Sequence, residues 1–149
     1  MKEILLVGAG GHCKSCIEII EEEKKFKIIG IIDNIKKRSV FGYPIIGKDK
    51  DFAKIRKITK YAFITIGQIK SSASRRGVYD KLQKLNFKLP VIISPRAHVS
   101  KRAKLSQGTI VHHDVCINSN VKIGKNCIIN TKSIIEHDVN IGDFCHIST

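Results

Sequence analysis

No run of apolar residues in this chain approaches the ~20 that a membrane-crossing helix needs, so no span is expected. The first apolar stretch, Ile4–Val7, stops in glycines and is too short for the core of a signal peptide. Acidic residues are scarce: 13 Asp and Glu face 27 Lys and Arg, a net charge of +14. Aromatics are scarce too, at 6%. The basic residues are scattered and no nucleic-acid reader motif accompanies them, so nucleic acid is not the expected partner. An acidic small molecule such as a nucleotide sugar, or simply lysine-rich solvated faces, accounts for the excess. Five cysteines, an odd number at mostly apolar or small-residue positions, do not form a disulfide framework. They read as reduced thiols of a cytoplasmic protein.

Three further shortages bear on cofactors. Gly8-Ala9-Gly10-Gly11-His12 follows the first strand, but Cys13 stands where a dinucleotide fingerprint needs its third glycine, which argues against NAD. His12, Cys13 and Cys16 lack a fourth ligand, so no metal is expected. Cys13-x-x-Cys16 has no thioredoxin pattern around it, and both cysteines are expected to be structural.

What the chain does have is a repeat. Val99, Leu105, Val111, Ile117, Ile123, Ile129, Ile135, Ile141 and Ile147 recur at every sixth residue. Four residues after each of the first eight comes a mostly small side chain: Ala103, Thr109, Val115, Val121, Cys127, Ser133, Val139 and Cys145. A period of six fits neither an amphipathic helix nor an alternating strand. It fits a parallel β-helix, in which each coil has three short segments and each segment turns one aliphatic inward.

The region before the repeats reads as α/β. Glu3–Val7 is a strand, residues 12–25 a helix with Cys16, Ile17, Ile19 and Ile20 on its apolar stripe, and Lys27–Ile32 a second strand ending at Asp33-Asn34. Glycines at the first turn let the backbone approach an anion, and the helix N-terminus points its amides there. A helix over Asp49–Ile58, a strand over Tyr61–Ile66 ending at Gly67, a helix over Ser71–Asn86 and a last strand over Leu89–Ile93 complete this part. Ser94-Pro95-Arg96 is the joint, giving domains 1–95 and 96–149. Basic charge is concentrated in the first part: 21 basic and 9 acidic residues before position 97, against 6 and 4 after it.

The sequence resembles the hexapeptide-repeat sugar acetyltransferases of the sialic acid O-acetyltransferase (NeuD) and bacillosamine N-acetyltransferase (PglD) group. The resemblance runs over the full length. Its carriers are Gly8–His12, Ile31-Ile32-Asp33-Asn34, Gly42–Gly47, Ile66-Gly67, Ile92–Pro95 and, most specifically, Ile129–Asp138. It implies a Rossmann-like domain followed by a left-handed parallel β-helix, and an acetyl-CoA-dependent transfer to a nucleotide-activated amino sugar or to a sialic-acid-like hydroxyl in bacterial surface-glycan synthesis. It implies a homotrimer. It further implies that His137 is the general base with Asp138 beside it, that Gly10, Gly11 and His12 cradle the diphosphate, that Asp33, Asn34 and Gly67 contact the nucleotide sugar, and that His146 approaches acetyl-CoA.

Residue chemistry speaks for His137 independently. The nucleophile must lose a proton as it attacks a thioester, and an imidazole titrating near ~6.5 suits that task. His137 lies two residues after an inward isoleucine, at a polar position, and is the only histidine flanked by two acids, Glu136 and Asp138. His112 and His113 are expected at the surface, with His113 on a different prism face. The repeats stop at Ile147, mid-coil, so the solenoid is expected to be incomplete within these residues, and a non-catalytic module that only binds sugar nucleotides is the alternative expectation.

Overall fold

The structure, a computed structural model, describes residues 1–35 and 38–149. It separates into two compact units, Met1–Pro90 and Val91–Thr149.

The first unit is built on a five-stranded sheet in the order β3-β4-β2-β1-β5. Strand β1 (Lys2–Val7) lies parallel to β2 (Phe26–Ile32) on one side and to β5 (Tyr61–Ile64) on the other. Strand β4 (Tyr43–Gly47) is parallel to β2, and the two-residue β3 (Ser39–Val40) is antiparallel to β4. Ile4, Leu5, Leu6 and Val7 are all buried, although neighbours along a strand face opposite sides. Such an unbroken apolar run marks a parallel sheet covered on both faces. Helix α1 (Gly11–Glu23) buries Cys13, Cys16, Ile17, Ile19 and Ile20, the apolar stripe of the sequence together with Cys13. Burial pushes the Cys16 thiol far above its usual range, so it stays protonated. Helix α3 (Ala73–Lys84) buries Val78, Tyr79, Leu82 and the whole of Arg75. Arg75 donates to the carbonyls of Ile66 at 2.6 Å and Ile64 at 3.4 Å, fixing the chain just beyond β5.

Two stretches differ from the sequence reading. Asp49–Ile58 is not one helix but a 3-10 turn, Asp49–Asp51, running into the single turn α2 (Phe52–Ile55). The strand read over Leu89–Ile93 shortens to β6 (Ile92–Ile93), and it pairs with β9 (Ile110–Val111) rather than with the α/β sheet. Its Ile92-Ile93 pair carries the same apolar doublet as Ile110-Val111 and Ile128-Ile129, eighteen and thirty-six residues on.

The second unit is a three-faced parallel β-helix. Its strands are two residues long: β7 (His98–Val99), β8 (Lys104–Leu105), β9, β10 (Cys116–Ile117), β11 (Lys122–Ile123), β12 (Ile128–Ile129), β13 (Ile134–Ile135), β14 (Asn140–Ile141) and β15 (His146–Ile147). They stack as β7-β10-β13, β8-β11-β14 and β6-β9-β12-β15. Each strand pairs in parallel with the one eighteen residues on, as Ile117 does with Ile135 and Ile123 with Ile141. The central core holds Val111, Ile117, Ile123, Ile129 and Ile135 together with Val115, Val121 and Cys127. Both phases of the repeat therefore point inward.

A third phase of the repeat is conformational. Asp114, Asn120, Asn126, Lys132, Asp138 and Phe144 all take φ between 53° and 65°, and Gly108 in the same phase has φ 74°. Each sits three residues after an inward aliphatic, where the chain rounds a corner. Glycine, asparagine and aspartate tolerate this left-handed conformation best, which accounts for five of the seven.

Candidate functional site

The α/β unit carries a cleft of about 370 Å³ at the carboxyl edge of its sheet. Val7 and Gly8 from the end of β1, Ile32, Asp33 and Asn34 from the end of β2, and Ile66 beyond β5 form its floor. The strand order places it where connections diverge to either side of β1, the usual ligand position in open α/β sheets.

The glycine loop is tied down from both sides. The Gly8 amide donates to Ile32 O at 2.9 Å, and the Thr65 hydroxyl donates to Gly8 O at 2.6 Å. Gly8 has φ +111°, and a Cβ there would sit 2.5 Å from Ile66 Cγ1 and 2.9 Å from its backbone nitrogen. Gly10 and Gly11 differ, because a Cβ on either meets nothing within 4 Å. Gly10 is the N-cap of α1 and makes no side-chain cap hydrogen bond, while the Cys13 amide donates to its carbonyl at 3.2 Å; the N-terminal end of a helix favours an anion.

Asp33 has both carboxylate oxygens engaged. The Ala9 amide donates to Oδ2 at 2.5 Å and the Ile35 amide to Oδ1 at 2.9 Å. It therefore clamps the glycine loop to the end of β2. Asn34 donates to Asp49 Oδ1 at 3.4 Å, and Lys81 pairs with Asp49 Oδ2 at 2.8 Å. His12 lies near Gly67, and its Nε2 is 3.3 Å from Cys16 Sγ. Gly10, Gly11, His12, Asp33, Asn34 and Gly67 thus gather at one edge of the sheet. The sequence reading missed Asp49, Ser74 and Lys81. Ser74, Gly77, Val78 and Lys81 recur three to four residues apart on α3 and line the cleft as one helix face, a spacing visible in the sequence.

In the solenoid, His137 stands on the corner after β13, with 74% of its side chain exposed. Its Nδ1 lies 2.7 Å from Asp138 Oδ2. Asp138 Oδ1 accepts a hydrogen bond from Asn120 Nδ2 at 2.6 Å, across one coil. Glu136 accepts one from Asn118 in the same way at 2.9 Å. The hydrogen bond and charge of Asp138, with Glu136 adding, raise the His137 imidazole above its ordinary value. Asn120, then His137, hold the Asp138 carboxyl below the usual carboxylate range. An ionised carboxylate only accepts, so a neutral His137 bonded to it carries its proton on Nδ1 and its lone pair on Nε2.

The other histidines are placed differently. His146 lies in β15, on another face of the prism, with Nε2 3.5 Å from Asn130 Nδ2. His113 follows β9 on that same face and shares a 2.7 Å hydrogen bond with Ser94 Oγ. His112 corrects the sequence reading: it is only 3% exposed, and burial pushes it down to about 4, so it is neutral near pH 7. Among the described residues no group of three or more His, Cys, Asp or Glu could hold a metal ion, and no helix is long and apolar enough to cross a membrane.

Comparison with known proteins bears on both units. The family model of the PglD N-terminal domain matches residues 3–82, more than half of the chain. The chain belongs to this family. Among solved structures, the perosamine N-acetyltransferase of Caulobacter crescentus in complex with CoA and GDP-perosamine is 30% identical. It superposes with a TM-score of 0.91 over 98% of this chain and 68% of its own, and was crystallised as a histidine-to-asparagine variant. The acetyltransferase domain of PglB from Neisseria gonorrhoeae, in complex with acetyl coenzyme A, is 27% identical with a TM-score of 0.89, over 97% of this chain and 69% of its own. The GDP-perosamine N-acetyltransferase of Escherichia coli O157:H7 is 23% identical over 145 residues, 93% of this chain. The chain spans 64% of that relative's length. The PglD-family assignment thus rests on the α/β unit, while the solved relatives extend the likeness through the β-helix.

Proposed function

We propose that this PglD-family protein transfers an acetyl group from acetyl-CoA to the amino group of a nucleotide-activated sugar. The observation that carries the reading is the His137–Asp138 pair, a 2.7 Å contact on an exposed solenoid corner. The raised basicity of His137 suits removal of a proton from an attacking amine. In that step the amine nitrogen bonds to the thioester carbonyl carbon, His137 Nε2 takes the amine proton, and the carbon–sulfur bond breaks to release the CoA thiolate, which takes that proton back from the imidazolium and leaves as the thiol.

The α/β unit holds the acceptor. Its glycine loop and the start of α1 suit the diphosphate, with Gly10, Gly11 and His12 closest to it; Asp33, Asn34 and Gly67 border the rest of the nucleotide sugar. His146 contacts the acetyl-CoA side. Amine rather than hydroxyl acetylation is favoured by the relatives, two of which are named as N-acetyltransferases with perosamine or GDP-perosamine in their names. The protein works as a homotrimer. Ile134, 66% exposed three residues before His137, and the exposed Val139 give this corner an apolar margin that a neighbouring subunit would cover. Five free thiols suit a reducing cytoplasm.

Incubation with acetyl-CoA and a panel of GDP- and UDP-linked amino sugars, read by thiol release, tests the proposal. Release with at least one amino sugar, lost in His137→Ala, is the expected result. Tight nucleotide-sugar binding without thiol release would instead support a non-catalytic module. Sedimentation at tens of micromolar tests the trimer, and a monomer alone would count against it.

A further inference from the structure

The corner that bears His137 is built three times, at Ser100–Arg102, Asn118–Asn120 and Glu136–Asp138, eighteen residues apart. The pairing of Cys116 with Ile134 and of Ile117 with Ile135 stacks Asn118 on Glu136 and Asn120 on Asp138. The Asp138 amide also donates to Ser119 O at 3.1 Å, so the two corners are joined through the main chain. Asn120 and Asp138 share the left-handed conformation, with φ 61° and 65°. The rung between them joins two copies of one turn.

That rung constrains the histidine. Asp138 has two oxygens: Oδ1 receives the Asn120 amide at 2.6 Å, and Oδ2 lies 2.7 Å from His137 Nδ1. A carboxylate on an exposed turn otherwise rotates freely and trades its partners for water. With Oδ1 anchored, Oδ2 is left facing the ring. The charged side chains of this corner are Glu136 and Asp138 on its own coil, with Lys101 and Arg102 two coils away on the same column. Glu136 is occupied by Asn118. Asp138 is therefore the acid bonded to the ring, and Asn120 is the group that holds its other oxygen.

We propose that Asn120 is a positioning residue: its amide anchors Asp138 so that Asp138 holds His137 as the Nδ1–H tautomer, with Nε2 presented to the acceptor amine. This rests on the reading of His137 as the general base. In this role Asn120 acts through Asp138 and not on the reacting atoms. A purely structural asparagine at a left-handed corner would be replaceable by glycine without consequence for the ring. An anchoring one would not.

The test is a nitrogen-15 and proton NMR titration of the histidine rings, with His137 assigned from His137→Gln. In the unaltered protein, His137 is expected to be predominantly the Nδ1–H tautomer when neutral, with a midpoint above that of a free imidazole. Asp138→Asn should move the tautomer balance toward Nε2–H and lower the midpoint. Asn120→Gly, which suits the backbone, should move both in the same directions by a smaller amount. The double variant should match Asp138→Asn alone, because the anchor has nothing left to hold. If the glycine variant fails to fold, Asn120→Asp keeps the turn and the shape but offers Asp138 an acceptor in place of a donor, and the same loss of the Nδ1–H tautomer is expected. Unaltered tautomer and midpoint in a folded Asn120 variant would overturn the proposal. Additive effects in the double variant would overturn it as well. The titration needs no substrate. Its failure therefore leaves the thiol-release result standing, and a failed transfer reaction with an intact tautomer signature counts against the base assignment instead.

Discussion

In the α/β unit, the hydrogen bonds that fix the loops around the cleft each have a main-chain group at one end. Ala9 and Ile35 fix Asp33, Ile32 and Thr65 fix Gly8, and Arg75 fixes the carbonyl of Ile66. In the solenoid, the corresponding work falls to side chains reaching from coil to coil: Asn118 to Glu136, and Asn120 to Asp138. The first arrangement is mostly covered and tied to the main chain, so altering it should disturb folding. The second is exposed and outside the core, so altering it should leave the core of Val111, Ile117, Ile123, Ile129 and Ile135 intact. A cleft fixed through the main chain and a corner fixed through side chains should therefore fail differently when mutated.

The largest expected effect comes from the solenoid side. His137→Ala should lower acetyl transfer by about 10²–10⁴-fold, the usual worth of a positioned general base. Thermal stability should hardly change, because the side chain is largely solvated. Nucleotide-sugar affinity, measured by calorimetry, should also hold. A turnover rate within a factor of two of the unaltered protein would break the contrast, since another group would then be the base.

Two glycines of one loop sharpen the comparison on the other side. Gly8→Val should destabilise the α/β unit by about 2–4 kcal/mol, from its left-handed backbone and the clash with Ile66 together. Gly10→Val should cost within about 1 kcal/mol, because Gly10 has φ −77° and an added Cβ meets nothing within 4 Å. Its nucleotide-sugar affinity should nonetheless drop at least about tenfold, because the branched side chain fills the space a diphosphate would take. Denaturant unfolding and a binding titration on each variant separate the two roles. Equal stability losses would mean that the loop is uniformly structural.

The smallest effect, and the one with a defined pH signature, is Asp138→Asn. Asparagine keeps the left-handed corner but removes the charge that raises His137. The base must be unprotonated to act, so activity rises with pH through the His137 titration. Lowering that titration moves the acidic limb of the rate profile to lower pH. The expected loss at the plateau is a few-fold, smaller than for His137→Ala. A limb that stays in place would show that Asp138 does not govern the ring.

How much of this could be read beforehand depended on whether the information was local. The inward aliphatics from Val99 to Ile147 announce the β-helix because their spacing is set by the coil itself. The phosphate-suited turn is likewise local, as Gly8–His12 lie between a strand and its helix. The two engaged oxygens of Asp33 were not legible, since Ala9 is twenty-four residues away and meets it only when β1 and β2 pair. Asp49 and Lys81 were missed for the same reason: their 2.8 Å contact spans thirty-two residues. Ile92-Ile93 was assigned to the wrong sheet because two apolar residues after Leu89 continue a strand equally well in either direction. The Asn120–Asp138 rung was within reach. A three-segment coil of six-residue repeats makes residues eighteen apart neighbours, and the Asp and Asn residues at 114, 120, 126 and 138 mark every corner but two between Val111 and Ile147. The buried His112 was not within reach, because the polar phase of the repeat gives no sign that one of its members is covered.

The stacking of residues at intervals of eighteen has a consequence for how such a chain can change length. An insertion or deletion of one whole coil leaves every strand facing the partner type it faced before, with aliphatics inside and the left-handed phase of the repeat still at the corners. A change of one residue does none of this. It turns the aliphatics downstream of the change outward, moves the corners onto residues that resist a positive φ, and separates Asn120 from Asp138. Length variation in this half of the molecule is therefore quantised. Gain or loss of material between Asn120 and Asp138 would disconnect the histidine from its anchor even where the prism recovered its shape a coil later.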